Sequence, residues 1–145
     1  MYKHILIPTD GSTLSSKAVD QGLAFAKDAG AKVTVLMATE PFHLFGIVPD
    51  QIAATRGEYE REAFAHAERH LAAAEQKAKS LGVPCDTLVV ENAHPYEAII
   101  TTAVEKGCDL IAMASHGRRG VSAIVLGSET LKVLTHSKTP ILVYR

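Results

Sequence analysis

The sequence predicts an α/β fold, a parallel sheet with helices on both faces. Two observations carry this. Short strand-like runs alternate with segments of helical period along the whole chain. Each run is also continuously apolar, the pattern of a strand buried on both sides rather than one that faces water. No internal repeat or low-complexity stretch breaks the alternation.

His4 to Pro8 (HILIP) reads as the first strand, followed by a Thr-Asp-Gly-Ser turn and a helix from Ser15 to Ala29. In that helix Ala18, Leu23, Ala26 and Ala29 fall near helical spacing, and Gly30 supplies the stop. Lys32 to Ala38 (KVTVLMA) resumes as a second strand and completes a βαβ unit. Pro41 to Thr55 has no clean period and reads as a loop with a short helical turn, long enough to act as a lid. From Glu58 to Leu81 the residues Phe64, Ala67, Leu71, Ala74, Ala78 and Leu81 recur at three and four, which predicts a long helix with this stripe in the core. Gly82-Val-Pro ends it, and Cys85 to Val90 gives the third strand. Pro95 suits the first turn of a helix running to Lys106. Asp109 to Met113 forms the fourth strand, Ser128 opens a short helix, and Ile141 to Tyr144 is the fifth strand.

The 145 residues fit one domain, 1–145, large enough to bury a sizeable core. Fifteen basic against sixteen acidic residues leave a net charge of −1, without the basic field of a nucleic-acid binder. The N-terminal apolar stretch is too short for a signal-peptide core and no run approaches a membrane span, so no membrane partner and a cytoplasmic location are expected. Cys85 and Cys108 lack the CxxC pairing of a zinc or redox motif and read as two reduced, buried thiols. His66 and His70 stand at i and i+4, but no third ligand follows; Glu62, Glu68 and Arg69 around them mark a solvated face.

In a parallel sheet the ligand crevice lies at the carboxyl ends of the strands, where strand order reverses. Two loops have the chemistry for it. Pro8-Thr9-Asp10-Gly11-Ser12 after the first strand offers a carboxylate and hydroxyls. Met113-Ala-Ser-His-Gly117-Arg-Arg-Gly120, continuing to Gly127-Ser128-Glu129-Thr130, offers glycines and a helix start where unpaired N–H groups favour an anion such as phosphate. A strand order of 3-2-1-4-5 makes the first and fourth strands neighbours and turns both loops toward one crevice. The standard phosphate motifs are absent. Gly11 to Ala18 resembles a P-loop but has Ser16 for the second glycine and Ala18 for the hydroxyl, and no GxGxxG opens the first helix.

The pattern resembles the universal stress protein family, on Ile5-Leu-Ile-Pro-Thr-Asp10-Gly-Ser at the start and Gly117-x9-Gly127-Ser128 late in the chain. Nucleotide-binding members carry G-x2-G-x9-G followed by Ser or Thr; here Ala114 replaces the first glycine, and Ala93 stands where relatives often have a glycine before the proline. The resemblance implies a five-stranded parallel sheet of order 3-2-1-4-5 with helices on both faces, Rossmann-like and similar to the adenine nucleotide alpha hydrolases. It also implies an adenine nucleotide, ATP or else ADP or AMP, with Mg²⁺ accompanying it.

By matching position, the resemblance puts Asp10 at the ribose side and near any Mg²⁺ carried by ATP, with Pro8 and Thr9 lining the base pocket and the Met37 backbone meeting adenine. Met113 and Ala114 line the other wall; Gly117, Gly127, Ser128 and Glu129 surround the phosphates, and Thr130 adds a hydroxyl. Plainer readings stand beside these. Asp10 also suits a helix cap, Gly127-Ser128 a turn and cap, and Gly120 a flexible loop; of Arg118 and Arg119, at most one reaches a triphosphate.

No nucleophile beside a base, paired carboxylates or metal cluster stands out in the sequence, so binding is expected over turnover. Slow ATP hydrolysis or autophosphorylation is the enzymatic alternative, and a nucleotide-free interaction protein the third. The apolar strand Ile141 to Tyr144, placed at the sheet edge, predicts a homodimer through that edge.

Overall fold

Among the described residues five strands and four helices follow one another as β1 (His4–Pro8), α1 (Thr13–Ala29), β2 (Lys32–Thr39), α2 (Pro49–Leu81), β3 (Cys85–Glu91), α3 (Pro95–Glu105), β4 (Leu110–Ala114), α4 (Ser128–His136) and β5 (Ile141–Tyr144). The structure, a computed structural model, describes residues 1–42, 49–117 and 126–145, with the backbone alone for 49–53. Arg118, Arg119, Gly120 and the 43–48 part of the expected lid lie outside the described residues.

The strands form one parallel sheet in the order β3-β2-β1-β4-β5, as the sequence predicts. β1 pairs with β2 from His4 opposite Lys32 to Pro8 opposite Leu36, and with β4 through Ile5 opposite Leu110. Successive side chains of a strand point to opposite faces, which splits the core in two. Ile5, Ile7, Val33, Val35 and Ala112 pack on one side with Val19, Leu23 and Ala26 of α1 and Ala67, Leu71, Ala74 and Ala78 of α2. Leu6, Leu36, Ile111 and Met113 pack on the other with Ile99 and Ala103 of α3 and Val133 of α4.

The largest departure from the expected elements is α2. It starts at Pro49 rather than Glu58, so the stretch Pro49 to Thr55, expected as loop, is helical. Its early turns are held by the exposed Arg56 to Glu60 ion pair and by the Tyr59 hydroxyl donating to the Glu40 carbonyl at 3.2 Å, contacts that leave no apolar stripe to read. Phe64, expected in the core stripe, is 54% exposed. Spacing at three and four does not say where the sheet ends, and Phe64 lies beside the edge strand with Leu88 and Val89. Of the two thiols, Cys108 is buried and Cys85 only half-buried; both are unpaired, and burial first, then the Asp86 carboxylate, pushes each up to about 11.

Candidate functional site

Between β1 and β4 the direction of strand succession reverses, and a cavity of about 670 Å³ opens there at the carboxyl ends of the strands. This size suits a small-molecule ligand. Its floor is built by the ends of β1, β2 and β4. Pro8, Thr9 and Asp10 come from the first, Met37 from the second, and Met113 and Ala114 from the third. Gly117, Gly127, Ser128, Glu129 and Thr130 form the side next to α4. All eleven residues singled out in the sequence thus line one cavity.

The β1–α1 turn is a hydrogen-bonded web around Asp10. The N-cap of α1 is Ser12, whose hydroxyl accepts from the Ser15 amide at 3.2 Å, so Asp10 is not the cap. Asp10 Oδ1 instead accepts from the Ser12 amide at 2.9 Å and from the Ser15 hydroxyl at 2.8 Å. The Thr9 hydroxyl lies 3.0 Å from Ser15 Oγ, and Gly11, at φ +81°, lets the chain turn tightly enough for these bonds to close. Across the cavity a methyl on Gly117 would stand 2.6 Å from Asp10 Oδ2, so the two loops are in contact and only hydrogen fits between them.

The α4 side is pinned to β4 by two bonds. The Gly127 amide donates to the Ser115 carbonyl at 2.8 Å, and the Thr130 hydroxyl to the Ala114 carbonyl at 2.9 Å. A Cβ on Gly127 would lie 3.2 Å from that same carbonyl and from His116 Cα, a close approach that favours glycine. Gly127 is the N-cap of α4 and supplies no side-chain cap, so the first-turn amides of α4 face the cavity end with their partial positive charge. The Glu129 carboxylate is engaged elsewhere: it accepts from the Tyr96 amide at 2.9 Å, capping α3, and meets Lys132 Nζ at 3.3 Å.

Several cavity residues carried no signal in the sequence. Ser15 orients Asp10, and His116 borders the glycine side. Tyr59, Glu62, Ala63 and His66 make α2 a wall of the cavity. Glu62, Glu68 and Arg69 are exposed as expected, but His66 and His70 between them are half-buried: their Nε2 atoms come within 3.0 Å and 2.8 Å of the point a Gly11 Cβ would occupy, and their rings meet edge to face at 4.5 Å. Among the described residues no group of three or more His, Cys, Asp or Glu is placed to hold a metal ion.

Fold and cavity together define a Rossmann-like α/β protein with its ligand crevice at the switch point. The model of the universal stress protein family matches residues 1–145, and the chain belongs to that family. It is similar to the universal stress protein YxiE of Bacillus subtilis, 33% identical with all of both chains covered. The structure of the universal stress protein UspA from Lactobacillus plantarum superposes with a TM-score of 0.88 at 22% identity, covering 99% of this chain and 98% of that one. A universal stress protein solved in complex with cAMP superposes with a TM-score of 0.70 at 26% identity, covering 99% of this chain and 96% of that one.

Proposed function

We propose that the switch-point cavity binds an adenine nucleotide, ATP or else ADP or AMP, and that the protein acts in the cytoplasm as a nucleotide-dependent module of the stress response. The observation that carries this is the opposition of two chemistries across one cavity. The Asp10 carboxylate, fixed by Ser12 and Ser15, accepts hydrogen bonds from ribose hydroxyls, while the amides of the first turn of α4, which Gly127 leaves without a side-chain cap, and the Ser128 hydroxyl donate to phosphoryl oxygens. The apolar flank of Pro8, Leu36, Met37 and Met113 provides for the base. The cAMP complex of a family member supports the same class of ligand. Mg²⁺ enters with a triphosphate, with Asp10 as the carboxylate nearest it.

Binding without efficient turnover fits the described residues. Ser115 Oγ and His116 Nδ1 are 2.9 Å apart, a nucleophile beside a base, but Ser115 is 2% exposed and does not line the cavity. Pairing of two copies through the β5 edge completes the reading; among the described residues β5 has a neighbour on one side alone. Native mass spectrometry of the purified chain tests the ligand class: an adenine nucleotide should copurify, and added AMP should raise the melting temperature, by about 2.7 kcal/mol of stabilisation at a hundredfold excess over Kd. No bound nucleotide and no thermal shift with AMP or Mg-ATP would remove the proposal.

A further inference from the structure

At the sheet edge opposite β5, β3 pairs with β2 alone among the described residues. The Pro84 carbonyl accepts from the Val33 amide and the Asn92 amide donates to the Thr39 carbonyl, so the even-numbered residues here turn their backbone groups toward β2. Thr87, Val89 and Glu91 then turn theirs outward, open to another strand.

Beside this edge runs a groove of about 420 Å³, lined by Thr87, Leu88 and Val89 and by a stripe of α2. Phe64, Glu68, Ala72 and Glu75 recur in that stripe at four, four and three, one face of the helix, and all four are exposed. Leu71, buried, closes the inner side. α2 thus overhangs the place that a sixth strand would take. The charged residues lining the groove are Glu68 and Glu75, and among the described residues neither carboxylate has a hydrogen bond or an ion pair. Charges nearby are turned away from it: Asp86 is engaged by Thr34 and Lys106, Lys77 pairs with Asp20, and Arg61 lies back along the helix against Gly57.

We propose that this edge binds an extended peptide segment of a partner protein, which adds a sixth strand and carries basic, apolar and basic residues at alternate positions on the side facing α2. Glu68 and Glu75 are about 10.5 Å apart along the helix, and positions i and i+4 of a strand are about 13 Å apart, a difference that flexible lysine side chains span. The apolar residue between the two cations rests on Leu71 and Ala72, and Phe64, one turn before Glu68, takes a further one. Pairing of two copies of this chain through the same edge about a twofold axis would bring the acidic stripes of both α2 helices together. Like charges therefore favour a foreign basic strand over self-pairing.

The probe is the peptide acetyl-VTKTVTKTV-amide, with acetyl-VTETVTETV-amide as its charge-reversed counterpart, each titrated into the isotopically labelled full chain and read by amide NMR shifts. Saturable shifts at Thr87, Val89 and Glu91 with the basic peptide and none with the acidic one are expected. The double variant Glu68→Gln/Glu75→Gln should bind the basic peptide at least about fivefold more weakly, the scale of two exposed ion pairs, and Phe64→Ser at least about threefold more weakly. Both variants change exposed side chains, so the fold is kept. No saturable shift at β3, shifts confined to the switch-point cavity, equal binding of the acidic peptide, or parent affinity in the double variant overturns the inference. Concentration-dependent shifts of the same amides without peptide assign the edge to self-pairing and overturn it as well.

Discussion

Asp10 is held on one oxygen by the Ser12 amide and the Ser15 hydroxyl, and its other oxygen lies against Gly117. Removing the Ser15 hydroxyl leaves the carboxylate less fixed, so Ser15→Ala should cost about 1 kcal/mol of stability in thermal unfolding and weaken AMP binding in calorimetry. Gly117→Ala puts a methyl 2.6 Å from Asp10 Oδ2 and separates the loops, with an expected loss of at least about tenfold in affinity, the scale of one displaced polar contact. At this scale the sequence was readable where a backbone need leaves a residue type behind, as at Asp10, Gly117 and Gly127. It was silent where a common polar side chain acts through geometry: Ser15 reads as a helix start, and the Glu129 carboxylate gives no hint that it caps α3.

The strands were legible because burial on both faces writes an unbroken apolar run, and a run has visible ends. α2 was harder, because one side of it packs on the sheet, another walls the cavity, and its first turns extend past the core. Spacing therefore identified Ala67, Leu71, Ala74 and Ala78 while placing Phe64 wrongly. Leu71, 5% exposed, faces the core, so Leu71→Ala should lower unfolding stability by about 2–5 kcal/mol, whereas Phe64→Ser, at a 54% exposed position, should change it by less than about 0.5 kcal/mol. Equal losses in urea melts would mean that the face of α2 is misassigned.

Across the molecule, the end of the sheet away from the cavity carries a polar chain that runs from the buried His4 and Thr34 to the exposed Asp86 and Lys106. His4 Nε2 lies 2.8 Å from Thr34 Oγ1, which donates to Asp86 Oδ1 at 2.6 Å; Lys106 Nζ reaches Asp86 Oδ2 at 3.2 Å. Burial first, then Lys32, holds the His4 imidazole below its ordinary value of 6.5, so the unfolded chain takes up this proton more readily than the folded one. Stability from this group is complete above pH 6.5 and is lost as pH falls through the lowered value. For Asp86, burial works to raise the value, but the Thr34 and Lys106 hydrogen bonds outweigh it and hold the carboxyl below 3.8, so its contribution survives until stronger acid. Thermal unfolding from pH 7.5 to 5 should show the decline, and His4→Gln should flatten it; an unchanged slope in the variant would contradict the assignment.

The same scale holds the proposed assembly and the central claim. Light scattering at micromolar concentration should give about twice the 15.5 kDa chain mass if β5 edges pair, and a monomer mass would remove that part of the proposal. The claim that one cavity joins Asp10 to the start of α4 around a nucleotide is tested most directly by calorimetric titration of AMP and Mg-ATP into the parent and Gly117→Ala. Saturable binding in the parent, weakened at least about tenfold in the variant, is the predicted result. No heat of binding in the parent, or equal affinity in both proteins, would contradict it.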